Sequence, residues 1–217
     1  MRRPALILAP LIATLASCGP TTPGPPAPGL PAPTPTVAAG QLPAPADFAG
    51  ISDRAQRSRA IFLAASQVFH HPRCANCHPD GDSPLQGMDG HLHDPPVVRG
   101  PDDHGVVGMQ CQGCHQDHNL ELARVPGAPR WALAPRAMAW VGKSAHEICT
   151  QIKDLNKNGG KDLQQIVEHN THDELVAWGW SPGHGREPAP GTQASFGALI
   201  AAWVETGAEC PQSEAKP

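Results

Sequence analysis

The chain contains the pattern Cys-x-x-Cys-His twice, in a sequence with only seven cysteines. The two copies are Cys74-Ala75-Asn76-Cys77-His78 and Cys111-Gln112-Gly113-Cys114-His115. Two thiols at this spacing can form thioether bonds to the two vinyl groups of one haem, and the adjacent histidine can then bind the iron. The pattern is therefore typical of c-type haem attachment. We predict two covalently bound c-type haems, with His78 and His115 as the proximal iron ligands.

Two other interpretations of paired cysteines are a zinc site and a redox-active dithiol. Zinc ribbons use two Cys-x-x-Cys pairs, but they need no histidine directly after each second cysteine. A thioredoxin-like dithiol lies at the end of a strand in a βαβ unit. The residues around Cys74 and Cys111 are mainly Pro, Gly, Asp and His, without an alternating β-branched run. The sequence therefore favours haem over both alternatives.

The sixth ligand of each iron is open to several assignments, because histidine, methionine, water or an empty position all occur in haem proteins. The candidates lie close to a motif, in the loop between the motifs or on a helix end: His70, His71, His91, His93, His104, Met109 and His169. We favour His93, in a loop tethered to both haems, and His169, near the end of a predicted helix. Met109, just before Cys111, is the methionine candidate.

Arginine side chains are candidates to bind the haem propionates, because the guanidinium group forms bidentate, charge-assisted hydrogen bonds to carboxylates. We select Arg99 first because it lies in the loop between the motifs, and Arg136 and Arg186 are further candidates. The five tryptophans are expected to pack on haem or in the core rather than to carry electrons themselves.

The N-terminus has the pattern of an export signal. Met1-Arg2-Arg3 is positively charged, residues 5–15 are apolar, and Ala16-Ser17-Cys18 follows. We interpret residues 1–17 as a lipoprotein signal peptide, with cleavage before Cys18 and lipid on its sulfur; an ordinary cleaved signal peptide is the alternative. This predicts a domain in the bacterial periplasm that is lipid-anchored to a membrane.

Residues 18–50 are rich in proline, which fixes φ and lacks an N–H, so we predict that this segment is a disordered tether. Residues 51–217 remain for a single dihaem cytochrome c domain. Once Cys18 and the four motif cysteines are assigned, only Cys149 and Cys210 are left. In an oxidising periplasm we expect these two to form a disulfide, with two buried free thiols as the alternative.

The composition limits both the partners and the core. The formal net charge is -4, the two signs are scattered along the chain, and no basic patch points to nucleic acid. Aromatic residues make up only 4% of the chain and tyrosine is absent. We therefore expect the haems to form much of the core, and the chain to fold poorly without them.

Apolar residues at helical spacing predict helices over 52–69, 144–153, 161–169, 171–178 and 192–206. Ser52, Ser144 and Thr171 are the predicted N-caps of three of them, and the last two open capping boxes. Residues 79–110 and 119–142 are predicted to be irregular, and no convincing strand is visible. The predicted fold is therefore mainly α: a small dihaem cytochrome c-like domain with long irregular loops and few or no strands.

Beyond the motifs, residues 53–211 resemble a family of small dihaem proteins often labelled isoquinoline 1-oxidoreductase subunit. The matching stretches are His71-Pro72-Arg73-Cys74 through Pro79, His91-Leu92-His93 through Gly100, Gly108-Met109, Val125-Pro126-Gly127-Ala128-Pro129, Trp178-Gly179-Trp180-Ser181-Pro182-Gly183 and Pro188-Ala189-Pro190-Gly191-Thr192-Gln193. The resemblance implies a cytochrome that accepts electrons from a molybdenum hydroxylase that oxidises N-heterocycles or aldehydes. It does not imply a molybdenum site in this chain. Apart from the resemblance, an electron-transfer role predicts a respiratory cytochrome or oxidase as the acceptor.

The sequence leaves three functions to compare. An electron-transfer cytochrome, without substrate chemistry of its own, requires both irons to be six-coordinate. A haem enzyme, such as a dihaem peroxidase or a thiol-oxidising cytochrome, requires one open iron with an acid–base residue near it. A sensor or structural lipoprotein subunit requires an effector domain or a large docking face, and neither is visible. We expect the first, an electron-transfer subunit rather than a catalyst.

Overall fold

The computed structural model describes residues 35–183 and 185–213. The predicted signal peptide, the predicted lipidation site Cys18 and the first part of the predicted tether lie outside the described residues. Within the described ranges, no helix is both long enough and apolar enough to cross a membrane.

The described residues are mainly helical, which confirms the predicted fold class. The helices are α1 (Arg54–Phe69), α2 (Pro72–Ala75), α3 (Cys111–Cys114), α4 (Ala145–Lys153), α5 (Leu163–His172), α6 (Glu174–Ala177) and α7 (Gln193–Glu205). The strands are β1 (Leu85–Gln86), β2 (His91–Leu92), β3 (Gly105–Val106) and β4 (Met109–Gln110). Single 3₁₀ turns occupy Pro45–Phe48, Arg136–Met138 and Trp178–Trp180.

The two small sheets were not visible in the sequence. Strands β1 and β2 pair antiparallel, and so do β3 and β4, each with two residues a side. The prediction of few or no strands is confirmed, although the sequence did not locate these four short strands between the motifs. A two-residue strand is too short to show the alternation by which strands are recognised, because that pattern needs about four residues.

Helix starts follow side-chain capping, though not always at the predicted residue. Ser144 accepts a hydrogen bond from the backbone N–H of Glu147, which confirms the predicted capping box of α4. For α1 the cap is Asp53, which accepts from the N–H of Gln56 at 2.6 Å, and not Ser52. Asp173 rather than Thr171 caps α6. A carboxylate suits this position because it accepts the free backbone N–H groups and because its negative charge is stabilised by the positive end of the helix dipole.

The core lies between four helices. Helix α7 packs against α1 and α5, and α1 also contacts α4. All four phenylalanines of the chain and two tryptophans are buried here: Phe48, Phe62, Phe69, Phe196, Trp140 and Trp203. Burying one such side chain stabilises the fold by about 1.5–3 kcal/mol. These four helices thus have a core of protein side chains, and the expectation that the haems form much of the core stays a prediction.

The folded domain begins before residue 51. Phe48 is fully buried in the core, Leu42 packs against it, and the backbone N–H of Gly191 donates to the carbonyl of Gly40 at 2.8 Å. The predicted end of the tether at residue 50 is therefore wrong. One phenylalanine among prolines carries no helical or strand period, and only its contact with distant helices reveals its role.

A disulfide joins Cys149 on α4 to Cys210, which follows α7. The S–S distance is 1.98 Å and the Cα atoms are 5.6 Å apart. It closes a loop with a sequence separation of 61 residues, which encloses α5, α6 and α7. The four motif cysteines remain as free thiols.

Candidate haem-binding sites

Each Cys-x-x-Cys-His motif forms a helical turn that brings its histidine under the turn. In the second motif, α3 spans Cys111–Cys114 and the N–H of His115 donates to the carbonyl of Cys111 at 2.9 Å. In the first, α2 begins at Pro72, and the N–H of His78 donates to the carbonyl of Ala75 at 3.0 Å. Proline suits the first helical position because its missing N–H would have no helical partner there.

The two motif histidines have the same hydrogen-bonding arrangement. Nδ1 of His78 donates to the backbone carbonyl of Met138, and Nδ1 of His115 donates to that of Pro126, both at 2.7 Å. A carbonyl oxygen only accepts, so the proton lies on Nδ1 and the lone pair on Nε2. This is the tautomer in which a histidine can bind a metal through Nε2.

Burial keeps both imidazoles neutral. It lowers the pKa of His78 to about 3, against the opposing effect of the Met138 carbonyl. It also lowers the pKa of His115, with the Pro126 carbonyl again opposing. Only the neutral ring has the lone pair that a metal needs, so both rings are ready to bind one at neutral pH.

A tryptophan stacks flat against each motif histidine. The rings of His78 and Trp140 have centroids 3.3 Å apart with planes at 6°, and those of His115 and Trp131 have centroids 4.5 Å apart with planes at 8°. The stacking and the Nδ1 hydrogen bond together fix the plane and direction of each imidazole. The sequence singled out the tryptophans as packing residues, but it carried no signal that pairs them with these histidines.

Two cavities adjoin the motifs. The first cavity, about 180 Å³, is lined by Cys74, Cys77 and His78. The second cavity, about 900 Å³, is lined by Cys111, Cys114 and His115. The two share a wall made of Arg73, Cys77, Ala132, Leu133 and Trp178.

The volume of the second cavity is that of a ligand site, because protein cavities that enclose small organic molecules or cofactors measure roughly 300–1,000 Å³. The first cavity alone is smaller than that range. Cys77 and the other four residues of the shared wall separate the space beside the first motif from the second cavity. A haem on the first motif therefore requires side chains of the shared wall to move apart, whereas the second cavity has room for one.

A second histidine lines each cavity together with the motif histidine. His93 lines the second cavity, and its ring centroid is 5.9 Å from that of His115. An iron bound by two imidazole nitrogens at about 2 Å each separates the ring centres by about 6 Å. His169 lines the first cavity together with His78, and its charge contributes to the lowered pKa of His78.

These two histidines also have Nδ1 occupied. Nδ1 of His93 donates to the carbonyl of Pro95 at 2.8 Å, and Nδ1 of His169 lies 3.5 Å from a carboxylate oxygen of Asp173. A carboxylate or carbonyl on Nδ1 is the usual outer partner of a metal-binding histidine. The four rings and four thiols thus match the donor set of two bis-histidine c-type haems.

Other predicted ligands are differently engaged. His91 has Nδ1 on Asp89 and Nε2 on Gln86, His70 has Nε2 on the carbonyl of Lys143, and Nδ1 of His71 accepts the N–H of Arg73. Met109 lines the second cavity and is 44% exposed, so its assignment as a ligand stays a prediction.

The predicted propionate partner Arg99 is already neutralised by the protein. It forms ion pairs with Asp82 and Asp103 and donates to the carbonyls of Ala134 and Gly81. It lines the second cavity, but its charge is satisfied within the loop between the motifs. The binding of a propionate by Arg99 stays a prediction. The observed role of Arg99 is structural, because its contacts hold the loop between the motifs together.

The thiols do not suit a redox-active dithiol. Burial raises the pKa of Cys74 to about 12 and that of Cys77 to about 11, in each case helped by a neighbouring thiol and opposed by Arg73. Redox-active dithiols have a lowered pKa, because the thiolate is the reactive form.

In the described part of the chain, no three His, Cys, Asp or Glu side chains are grouped so that they could hold a metal ion by themselves.

Comparisons of the chain with protein-family models, with curated proteins and with solved structures found no match. The interpretation of these sites therefore depends on the residues and their geometry.

Proposed function

We propose that this chain is a dihaem c-type cytochrome that transfers electrons without substrate chemistry of its own. The observation that carries the proposal is that each cavity is lined by a second histidine besides the motif histidine, His169 with His78 and His93 with His115. Two protein ligands per iron leave no position for a substrate, which favours an electron carrier over an enzyme with an open iron.

The protein residues have separate tasks in this proposal. Cys74, Cys77, Cys111 and Cys114 attach the two groups covalently, and bound haem supplies a one-electron couple at its iron. The carbonyls of Met138, Pro126 and Pro95 and the carboxylate of Asp173 hold the four imidazoles in the tautomer that presents Nε2. Because these partners belong to the folded chain, the four imidazoles would need little reorganisation to hold an iron.

The place of the chain in an electron-transfer route is a further part of the proposal. The resemblance noted from the sequence supports a molybdenum hydroxylase as electron donor, and the electron-transfer role supports a respiratory cytochrome or oxidase as acceptor. The export pattern before Cys18 supports a periplasmic location with a lipid anchor. A disulfide between Cys149 and Cys210 agrees with an oxidising compartment.

The test begins with expression beside haem-maturation machinery, a pyridine haemochrome assay and visible spectra with and without carbon monoxide. The proposal requires two covalent haems per chain, both low-spin and neither binding carbon monoxide. The absence of covalent haem contradicts it. Carbon monoxide binding by the unmodified chain also contradicts it and supports the haem-enzyme alternative.

Ligand variants make the test residue-specific. His93→Ala and His169→Ala should each produce one high-spin haem and one carbon monoxide bound per chain. His91→Ala and His172→Ala are matched controls, because each lies close to a proposed ligand but pairs with an exposed carboxylate instead. If the controls behave like the ligand variants, or if His93→Ala and His169→Ala stay low-spin, the assignment of these two ligands is wrong.

A further inference from the structure

Two arginines that meet at the second cavity lack a carboxylate partner. Arg73 is only 9% exposed and lines both cavities, and Arg186 lines the second. The Arg73 guanidinium lies 5.8 Å from the ring centroid of Trp178, a residue of the shared wall. We call Arg73 and Arg186 the arginine pair.

The hydrogen bonds of the arginine pair are all to uncharged groups. Nε of Arg73 donates to the backbone carbonyl of Glu187 at 2.7 Å, and its Nη2 donates to the sulfur of Met88 at 3.3 Å. Arg186 donates to the carbonyls of Pro182 and Arg124. Within the described residues, no ion pair includes either guanidinium, whereas Arg99 and Arg136 both pair with Asp82.

The two cations also disfavour each other. The pKa of Arg73 is lowered, first by burial and next by the charge of Arg186, with Glu187 opposing. Burying a charge without a counter-charge costs several kcal/mol, so buried charges in proteins are normally paired. The arginine pair therefore indicates an anion in the space that it lines.

We propose that the arginine pair binds haem propionates where the two cavities meet, and that Arg73 thereby raises the midpoint potentials of both haems. This inference rests on the proposed function. Haem carries carboxylates into the cavity with it, and the planar guanidinium group matches a carboxylate with two parallel hydrogen bonds. Arg73 serves both groups because it lines both cavities, while Arg186 serves the one beside His115.

The direction of the effect follows from charge. Reduction adds an electron to each haem, and a fixed positive charge nearby stabilises the product. At an effective dielectric constant of about 20, a unit charge about 12 Å away changes such an equilibrium by about tenfold. For a one-electron couple, a tenfold change in the equilibrium constant equals 59 mV.

The test is a potentiometric titration of the matured full chain, followed by visible absorbance between pH 5 and pH 8, with the propionate bands recorded by resonance Raman. The variants are Arg73→Gln, Arg73→Lys and Arg186→Gln. Arg59→Gln is the matched control, because Arg59 lies on α1 and pairs with Glu209 away from both cavities. Haem content of each variant is measured by pyridine haemochrome.

The expected result is that Arg73→Gln disfavours reduction of both haems by about tenfold. Arg186→Gln should affect mainly the second haem, Arg73→Lys should retain most of the wild-type potential, and Arg59→Gln should change nothing. Both Gln variants should shift the propionate bands. If Arg73→Gln fails to incorporate haem, Arg73→Lys and Arg186→Gln still decide the matter through their potentials and Raman bands.

Two results overturn the inference while leaving the proposed function intact. One is a chain with two low-spin haems in which the Gln variants leave both potentials and the propionate bands unchanged. The other is an Arg73→Gln variant whose potentials shift while its propionate bands stay as in the wild type, which assigns the arginine pair to some other, soluble anion. Failure of the unmodified chain to acquire haem overturns the proposed function instead.

Discussion

Asp173 links the N-terminus of α6 to His169, a proposed haem ligand. Removal of its negative charge is therefore an informative single substitution. Its Oδ1 accepts the backbone N–H groups of Leu175 and Val176 at the N-terminus of α6, while Oδ2 lies 3.5 Å from Nδ1 of His169. The hydrogen bond from His169 is the largest cause that lowers the pKa of Asp173 to about 2. Asp173→Asn removes the charge but retains a good N-cap.

The size of the effect follows from that pKa. The fall from 3.8 to about 2 corresponds to roughly 2.4 kcal/mol of folded-state stabilisation of the carboxylate, at 1.36 kcal/mol per pH unit. The Asp173 side chain is partly exposed, so solvent screening reduces this to about 1–2 kcal/mol. Because the folded-state pKa is the lower one, this stability is fully present above pH 4 and is lost as the pH falls towards 2.

Urea unfolding of the matured protein between pH 2 and pH 7 measures this directly. At pH 7, Asp173→Asn should lose about 1–2 kcal/mol, and its difference from wild type should vanish near pH 2. Asp53→Asn is the matched control, because Asp53 caps α1 without a histidine partner and should lose less. Equal losses in the two variants, or a difference that persists undiminished at pH 2, would refute the reasoning.

Three further predictions concern other parts of the fold. Gly127→Ala should lose about 2 kcal/mol in urea unfolding and alter the spectrum of the second haem, because its Cβ would lie 2.3 Å from the carbonyl oxygen of His118, next to the Pro126 carbonyl that holds His115. Replacing Cys149 and Cys210 by serine should lower the free energy of unfolding by about 4 kcal/mol, measured with and without reductant, since the loop they close is long. In the haem-free chain, iodoacetamide at pH 8 should alkylate the exposed Cys114 and leave Cys74 and Cys77 intact by mass spectrometry, because burial raises the pKa of those two thiols to about 12 and about 11.

Local patterns in the sequence were sufficient to predict most helices. Helix α4 with its Ser144 cap and helix α7 after Thr192 were predicted within one or two residues, because apolar spacing and capping chemistry are both short-range. The errors have the same origin. Strands β1 to β4 are too short to show a period, and Asp53 and Ser52 are adjacent residues with similar capping ability.

The two motifs were likewise recognisable in the sequence, because two thiols and a histidine at fixed spacing need no distant partner to be identified. The placement of His78 and His169 at one cavity was decided by the tertiary structure alone, as were the hydrogen bond from His78 to the Met138 carbonyl and the stacking of His78 on Trp140. Such contacts join segments far apart in the chain, and they are set by how α5, α7 and the irregular segments pack. A local pattern carries no information about that packing. For this reason the sequence did not single out Arg73, whose lack of a carboxylate partner is visible only in the tertiary structure.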